Sequence, residues 1–151
     1  MTATEVPANK GIAASLRQTM EAEEGKGWFT GLLPSLSGVD ASTASRRPAP
    51  GRPSVAAHLE HLRYTFAVLN TWLRQEQVKP DWEEAWKHNE VDEAAWEALK
   101  EGFRAQYARL LAYVGEAGDL EERTYWLLSD NLAHTGYHVG SIRLALQIIR
   151  G

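Results

Sequence analysis

Apolar residues recur at steps of three and four along four long segments of this 151-residue chain, a spacing that predicts amphipathic helices. The segments are residues 9–24, 54–77, 92 to about 115 or 118, and 119–150. Sustained alternation of β-branched and polar residues, the signal for strands, is nearly absent. We therefore expect an all-α protein, a four-helix bundle forming one domain over residues 1–151.

Polar residues that cap helices mark where the long segments begin. Asn9 is the expected N-cap of the first helix, and Ser54 is that of the second. Asp119 with Glu122 three residues later is a variant of the capping box and predicts the start of the fourth helix.

The connections between the helices are rich in Gly, Pro and Ser. Gly25 and Gly27 are expected to end the first helix, and a short helix is expected near residues 30–36. Residues 38–53 lack periodicity and are expected to form a loop, so a long connection joins the first two long helices. A second connector, residues 80–91, carries Trp82, Trp86 and His88.

Composition narrows the class of protein. The hydrophobic fraction is 44%, the charged fraction is 24% and the net charge is −4, so no strong positive field favours nucleic acid or anionic lipid. No long apolar run predicts a membrane span or a signal peptide. The absence of cysteine excludes disulfides and thiolate metal sites, and we expect a cytoplasmic protein.

The fourth helix carries polar residues in the middle of its apolar stripe. Two histidines four residues apart project from the same face, so both imidazoles can reach one metal ion. The alternative is two separate core histidines, which would need several hydrogen-bond partners in an apolar stripe. The stripe contains Leu127, Asn131, His134, His138, Ser141 or Ile142, Ala145 and Ile149.

The second helix offers two more histidines, His58 and His61, near its own core face. Their spacing alone does not decide which of them would join His134 and His138 as a third metal ligand. His88 lies in the connector and is expected to be a solvated loop residue.

Residues 54–62 read SVAAHLEHL, and residues 131–143 read NLAHTGYHVGSIR. These two stretches resemble the second-helix and last-helix signatures of the DinB/YfiT-like family of four-helix bundles. Residues 27–29 and 91–96 are also similar to family members, so the resemblance spans nearly the whole chain.

The resemblance implies a metal site made of His61, His134 and His138, with His58 supporting a ligand or lining the pocket. At two places the chain departs from the family pattern. Positions 139 and 141 hold Val and Ser where many members have Arg and Gln, and positions 29–30 hold Phe-Thr where many have His-Gly. These departures affect the expected substrate contacts rather than the ligand set.

Three imidazoles would leave a divalent metal with a free coordination position, which is typical of catalytic sites. Imidazole ligands suit several transition metals, of which we expect zinc or nickel. The resemblance implies a thiol-dependent S-transferase or isomerase, in which the metal activates a low-molecular-weight thiol; a metal-water hydrolase is a variant. The alternative class is a non-catalytic stress-response or metal-binding protein.

Several neighbouring residues are expected around such a site and a small-molecule substrate. Asp130 and Asn131, one turn before His134, could orient a ligand or a metal-bound water. Aromatic residues are expected to line part of the pocket, with these candidates: Trp28, Tyr64, Trp86, Trp126 and Tyr137.

A strip of small residues on the fourth helix, Ala133, Gly136 and Gly140, lies off the histidine face. Each glycine costs roughly 1 kcal/mol in a helix interior relative to alanine, so a close backbone contact is an expected compensation. We expect a homodimer through this strip, and close packing inside the bundle is the alternative.

Overall fold

The computed structural model describes residues 7–151, and within them it contains helices and no strand. The all-α prediction is confirmed. None of the helices in this range is long and apolar enough to cross a membrane. A short 3₁₀ helix covers Glu84–Lys87, and the α helices are α1 (Ala8–Glu21), α2 (Leu32–Ser35), α3 (Ala41–Ser45), α4 (Val55–Leu73), α5 (Glu93–Glu116) and α6 (Glu122–Arg150).

The four long helices, α1, α4, α5 and α6, form the bundle. Helix α1 packs against α5 and α6, and α4 packs against the same two helices, so α1 and α4 occupy opposite corners. The connection between α1 and α4 therefore has to cross the bundle, which accounts for its length. On the way, α2 packs against α1 and α6, and α3 packs against α4 and α5.

The predicted cap at Ser54 is confirmed, because its side chain accepts a hydrogen bond from the backbone N–H of Ala57. The predicted cap at Asn9 is wrong. Asn9 lies inside α1, whose N-cap is Pro7, and its side chain instead donates to the carbonyl oxygen of Ala117, 2.7 Å away. Asn9 thus ties the start of α1 to the end of α5.

Three other predicted boundaries differ from the structure. Helix α1 ends at Glu21, before the two glycines, and α4 ends at Leu73 rather than at residue 77. Helix α6 begins at Glu122, and its N-cap, Glu121, makes no side-chain capping bond, so the capping box starting at Asp119 is wrong. Sequence patterns locate helix ends less accurately than helix interiors, because the terminal turns fray and carry little periodic signal.

The prediction that residues 38–53 form only a loop is wrong, since α3 lies within them. The Asp40 side chain caps α3 by accepting from the N–H of Thr43, and the Glu93 carboxylate accepts from the N–H of Ala41 at 2.9 Å. Five residues are too short to show a periodic pattern. Their helix depends on the cap and on burying Ala41 and Ala44 against the bundle.

The second connector is fastened to the start of α4 by Asn89. Its side-chain oxygen accepts from the N–H of Ser54 at 3.0 Å, and its side-chain nitrogen donates to the carbonyl of Trp86 at 3.0 Å. The Ser54 hydroxyl donates to the Asn89 carbonyl at 2.7 Å. These bonds place the 3₁₀ helix and Trp86 beside the first turns of α4, where His58 and His61 lie.

The small-residue strip of α6 faces outward. Apart from the chain neighbours of each glycine and the backbone of α6 itself, no atom of the described residues lies within 4 Å of the positions where side chains at Gly136 and Gly140 would begin. Ala133 is exposed. Close packing inside the bundle therefore does not explain the strip. Tyr137 and Leu144, which are exposed on the same helix, border it.

Candidate metal centre

Helices α4 and α6 bring three histidines to one point. The Nε2 atom of His134 lies 3.1 Å from the Nε2 atom of His61 and 3.1 Å from that of His138. His61 and His138 are buried and His134 is half-buried. One ring nitrogen from each residue can be chosen so that all three lie within 4.8 Å of one another. The sequence-predicted trio is thus assembled in space.

The spacing of these nitrogens suits a shared metal ion. Nitrogens about 2.0–2.1 Å from one tetrahedral zinc are roughly 3.3 Å apart, close to the two observed separations. The donor set is also chemically suitable, because neutral imidazole nitrogens bind borderline transition metals. These residues therefore fit a divalent transition metal.

The surroundings keep the histidines neutral at pH 7. Burial lowers the pKa of His58 to about 4 and also lowers the pKa of His134. Burial, with repulsion from charge on His134 and His58, lowers the pKa of His61 to about 4. Burial, with repulsion from the other three imidazoles, lowers the pKa of His138 to about 3. Neutral rings offer the lone pairs that a metal ligand needs.

His58 contacts the other side of the His138 ring. The Nδ1 atoms of the two residues lie 3.0 Å apart, so one donates a proton to the other. If His138 is the donor, its Nε2 atom carries a lone pair directed toward His134. His58 then accepts through Nδ1 and carries its own proton on Nε2. A hydrogen bond to the distant nitrogen of a ligand histidine fixes both tautomer and ring orientation.

The indole of Trp86 covers the histidines from the connector. It stacks on the His61 ring with centroids 4.2 Å apart and an interplanar angle of 20°. It also meets His58 edge-on at 5.4 Å and lies 5.6 Å from His138. One aromatic ring therefore restricts the orientation of three imidazoles.

Four buried side-chain atoms near the cluster have no hydrogen-bond partner among the described residues. They are Nδ1 of His61, Nδ1 of His134, and both Oδ1 and Nδ2 of Asn131. Buried polar atoms without partners are uncommon, because each loses its bond to water without compensation. These four unpaired atoms therefore make the region less stable than it would be with apolar side chains of the same shape.

Cavities adjoin the cluster on two sides. One, of about 360 Å³, is lined by His61 and His134 together with Trp72, Trp82 and apolar side chains. The other, of about 570 Å³, is lined by His58, His138 and Trp86 together with the proline-rich segment at residues 48–53. We name them the α4–α6 cavity and the loop cavity.

Some of the other predicted site residues line the two cavities, and others lie on the surface away from them. Asp130 is exposed and Asn131 is buried, and both line the α4–α6 cavity. Tyr137 is 71% exposed, lines the loop cavity and has its ring centroid 5.1 Å from that of His138. Trp28 is 95% exposed and lines neither cavity, and His88 is exposed on the connector.

The remaining aromatic candidates also differ in whether they lie beside the histidines. Trp86 lies over the histidines, whereas Trp126 is 66% exposed and lines neither cavity beside them. The Tyr64 hydroxyl accepts from the N–H of Asp81, and its ring packs edge-on against Trp82. Trp72 of α4 and Trp82 of the connector line the α4–α6 cavity but were not predicted from the sequence as pocket residues. The position of Trp82 depends on how the connector folds back against α4.

Comparison with known proteins gives one match. The sequence model of the DinB superfamily matches residues 29–142, which is more than half of the chain and includes all four clustered histidines. No curated protein and no solved structure matches significantly.

Proposed function

Because the chain belongs to the DinB superfamily, we propose that it is a metal-dependent enzyme that acts on small molecules. The observation that carries the proposal is the convergence of three imidazole Nε2 atoms, His134 lying 3.1 Å from both His61 and His138. We assign these three residues as ligands of one divalent metal, zinc or nickel. Such an ion would supply a Lewis acid that polarises the sulfur of a thiol or a water molecule.

Two further residues, His58 and Trp86, support this assignment because their contacts orient the proposed ligands. His58 holds the Nδ1 atom of His138, and Trp86 stacks on His61. Both contacts restrict ring rotation, so the lone pairs stay directed toward one point without reorganisation when an ion enters. We propose that His58 is such an orienting residue and not a ligand.

An open site supports catalysis rather than a structural role. Within residues 7–151 the cluster contains three candidate ligands, which leaves at least one position of a tetrahedral ion for substrate. The α4–α6 cavity reaches His61 and His134, so a small molecule can approach them. Since the chain has no cysteine, thiol chemistry would use an exogenous low-molecular-weight thiol. We propose a thiol S-transferase acting on small electrophiles, with metal-water hydrolysis as the variant.

The test combines metal content with activity. Elemental analysis of the purified protein should give one zinc or nickel per chain, His134→Ala should lose it, and the exposed-histidine control His88→Ala should keep it. A full equivalent of metal in His134→Ala would show that the ligand assignment is wrong.

The metal-loaded protein is then screened with low-molecular-weight thiols against a panel of alkylating electrophiles. Consumption of the thiol above the rate seen with His134→Ala supports the transferase. Hydrolysis of ester substrates with no thiol dependence would favour the variant. A stoichiometric metal with neither activity would favour a non-catalytic metal-binding or stress-response protein.

A further inference from the structure

The loop cavity lies between the proline-rich segment and the outer side of α6. Its walls are mostly apolar, with Pro48 and Pro53 on the segment and Leu144 and Ile148 on the helix. Its volume of about 570 Å³ is within the range of small-molecule sites. The cavity is therefore large enough for a small organic molecule with an apolar body.

The charge at this cavity is positive. Arg52 is one of its lining residues, and no Asp or Glu of the described chain lines it. Arg52 follows Arg46 and Arg47 in the same segment; all three are exposed, and none forms an ion pair with an acidic side chain of residues 7–151. The whole chain carries a net charge of −4, so this positive segment is a local feature that favours an anion at the cavity.

His58 supplies a second polar atom to the same cavity. Its Nδ1 atom is 3.0 Å from that of His138, whereas its Nε2 atom has no hydrogen-bond partner among residues 7–151. Unlike the Nδ1 atoms of His61 and His134, this Nε2 atom is not buried away from solvent, and His58 lines the loop cavity. When His138 donates to His58, the Nε2 atom of His58 carries a hydrogen and is a donor on the cavity wall.

We propose that the loop cavity is a second ligand site, which binds a small monocarboxylate with an apolar body. The guanidinium of Arg52 presents a planar fork of N–H groups that matches a carboxylate, and the Nε2–H of His58 donates to the same head group. A single lining cation balances one negative charge, which favours a carboxylate over a phosphate dianion. The apolar body packs against Trp86 and Leu144.

This second site goes beyond the proposed function, because it does not require a metal. A carboxylate at the Nε2–H of His58 and an ion at the Nε2 atom of His138 favour the same pair of tautomers, so the two sites are compatible. A carboxylate can also coordinate an ion directly. The metal-free protein therefore isolates binding at the loop cavity.

The experiment compares 4-phenylbutyrate with 4-phenylbutyramide, which has nearly the same shape but no charge. Metal is removed with a chelator, the chelator is dialysed away, and binding at pH 7.5 is followed by NMR through the indole N–H signals, assigned with Trp→Phe variants. We expect the carboxylate to bind about tenfold more tightly than the amide, since hydrogen bonds to a charged group are the stronger ones. The Trp86 signal should shift more than those of Trp72 and Trp82, which line the other cavity.

Substitutions at two exposed arginines separate a site from a diffuse field. Arg52→Gln should lower the affinity for 4-phenylbutyrate about tenfold and leave that for the amide unchanged. The matched control is Arg46→Gln, which removes an exposed arginine of the same segment that does not line the cavity, and it should keep the preference. His58→Phe should weaken binding of the carboxylate severalfold, because it removes the second donor.

The proposal is overturned if 4-phenylbutyrate shows no saturable binding, if it binds no better than the amide, or if Arg52→Gln keeps the preference. Equal losses in Arg52→Gln and Arg46→Gln would also overturn it, as would shifts confined to Trp72 and Trp82. Unchanged affinity in His58→Phe would refute the contact with His58. A wild-type protein that binds no metal but prefers the carboxylate would refute the proposed function and leave this inference standing.

Discussion

Removing the proposed metal should lower the stability of this protein without unfolding it. The largest fully buried side chains include Trp96, Phe66 and Phe103, none of which belongs to the histidine cluster. Phe66 and Phe103 pack with ring centroids 5.2 Å apart between α4 and α5. A core of this kind stabilises the bundle whether or not the histidines hold an ion, unlike a structural zinc site whose binding energy is the folding energy.

The magnitude follows from linkage between binding and folding. An ion that binds the native state alone, at a free concentration one hundred times its Kd, stabilises by about 2.7 kcal/mol. For a chain of this length each kcal/mol changes Tm by roughly 2–4 °C. Adding zinc at that ratio to the metal-free protein should therefore raise Tm by roughly 5–11 °C.

The assay is thermal unfolding followed by circular dichroism, with chelator or with zinc. His134→Ala should melt cooperatively but show almost no increase in Tm with zinc, because it lacks the imidazole that contacts both His61 and His138. His88→Ala, with a histidine removed from the exposed connector, should show the full increase. Complete unfolding of the metal-free wild type at 25 °C would refute the reasoning and identify the site as structural.

Other properties of the structure lead to further expectations. His58→Phe keeps a ring but removes the nitrogen 3.0 Å from His138, so metal affinity should fall by about 10–100-fold in a chelator competition, and unchanged affinity would exclude an orienting role. The metal-free protein should lose stability as the pH falls from 6.5 toward 4, because the unfolded chain binds protons on histidines whose native pKa is lowered to about 4 in His58 and His61 and to about 3 in His138. Urea unfolding at pH 7.5 and pH 5 measures this, and equal or greater stability at pH 5 would contradict it. Trp96→Ala should cost about 3–5 kcal/mol in the same assay, since it removes a fully buried side chain whose indole donates to a backbone carbonyl. Light scattering should give twice the 16.8 kDa chain mass if the small-residue strip of α6 joins two copies, and a monomer mass at micromolar concentration would reject the dimer.

The sequence by itself determined the helical class and the face on which the chemistry lies. Apolar residues at steps of three and four are sufficient to predict long helices, and Ser54 marks a helix start because its hydroxyl caps the backbone locally. The step from His134 to His138 is one helical turn, so the helix alone brings these two imidazoles together. These features are local, and local geometry can be derived from spacing.

Features that depend on contacts between distant segments needed the tertiary structure. Helix α3 forms because Asp40 caps it and Glu93, far along the chain, accepts from its backbone. Which histidine of α4 meets His134 was not decided by spacing, since His58 and His61 are both buried near the core face. The packing of α4 on α6 directs the Nε2 atom of His61 to His134 and turns His58 to the far side of His138.

The residues that surround the histidine cluster were also decided by tertiary contacts. Trp86 and Trp82 belong to a connector without a periodic pattern, and their positions follow from hydrogen bonds between that connector and α4. The lack of a hydrogen-bond partner for Asn131 also appears only in the folded chain, because a sequence shows an asparagine in an apolar stripe but not whether its amide finds a partner. Side-chain partners are set by the packing of whole helices, and spacing along one helix does not contain that information.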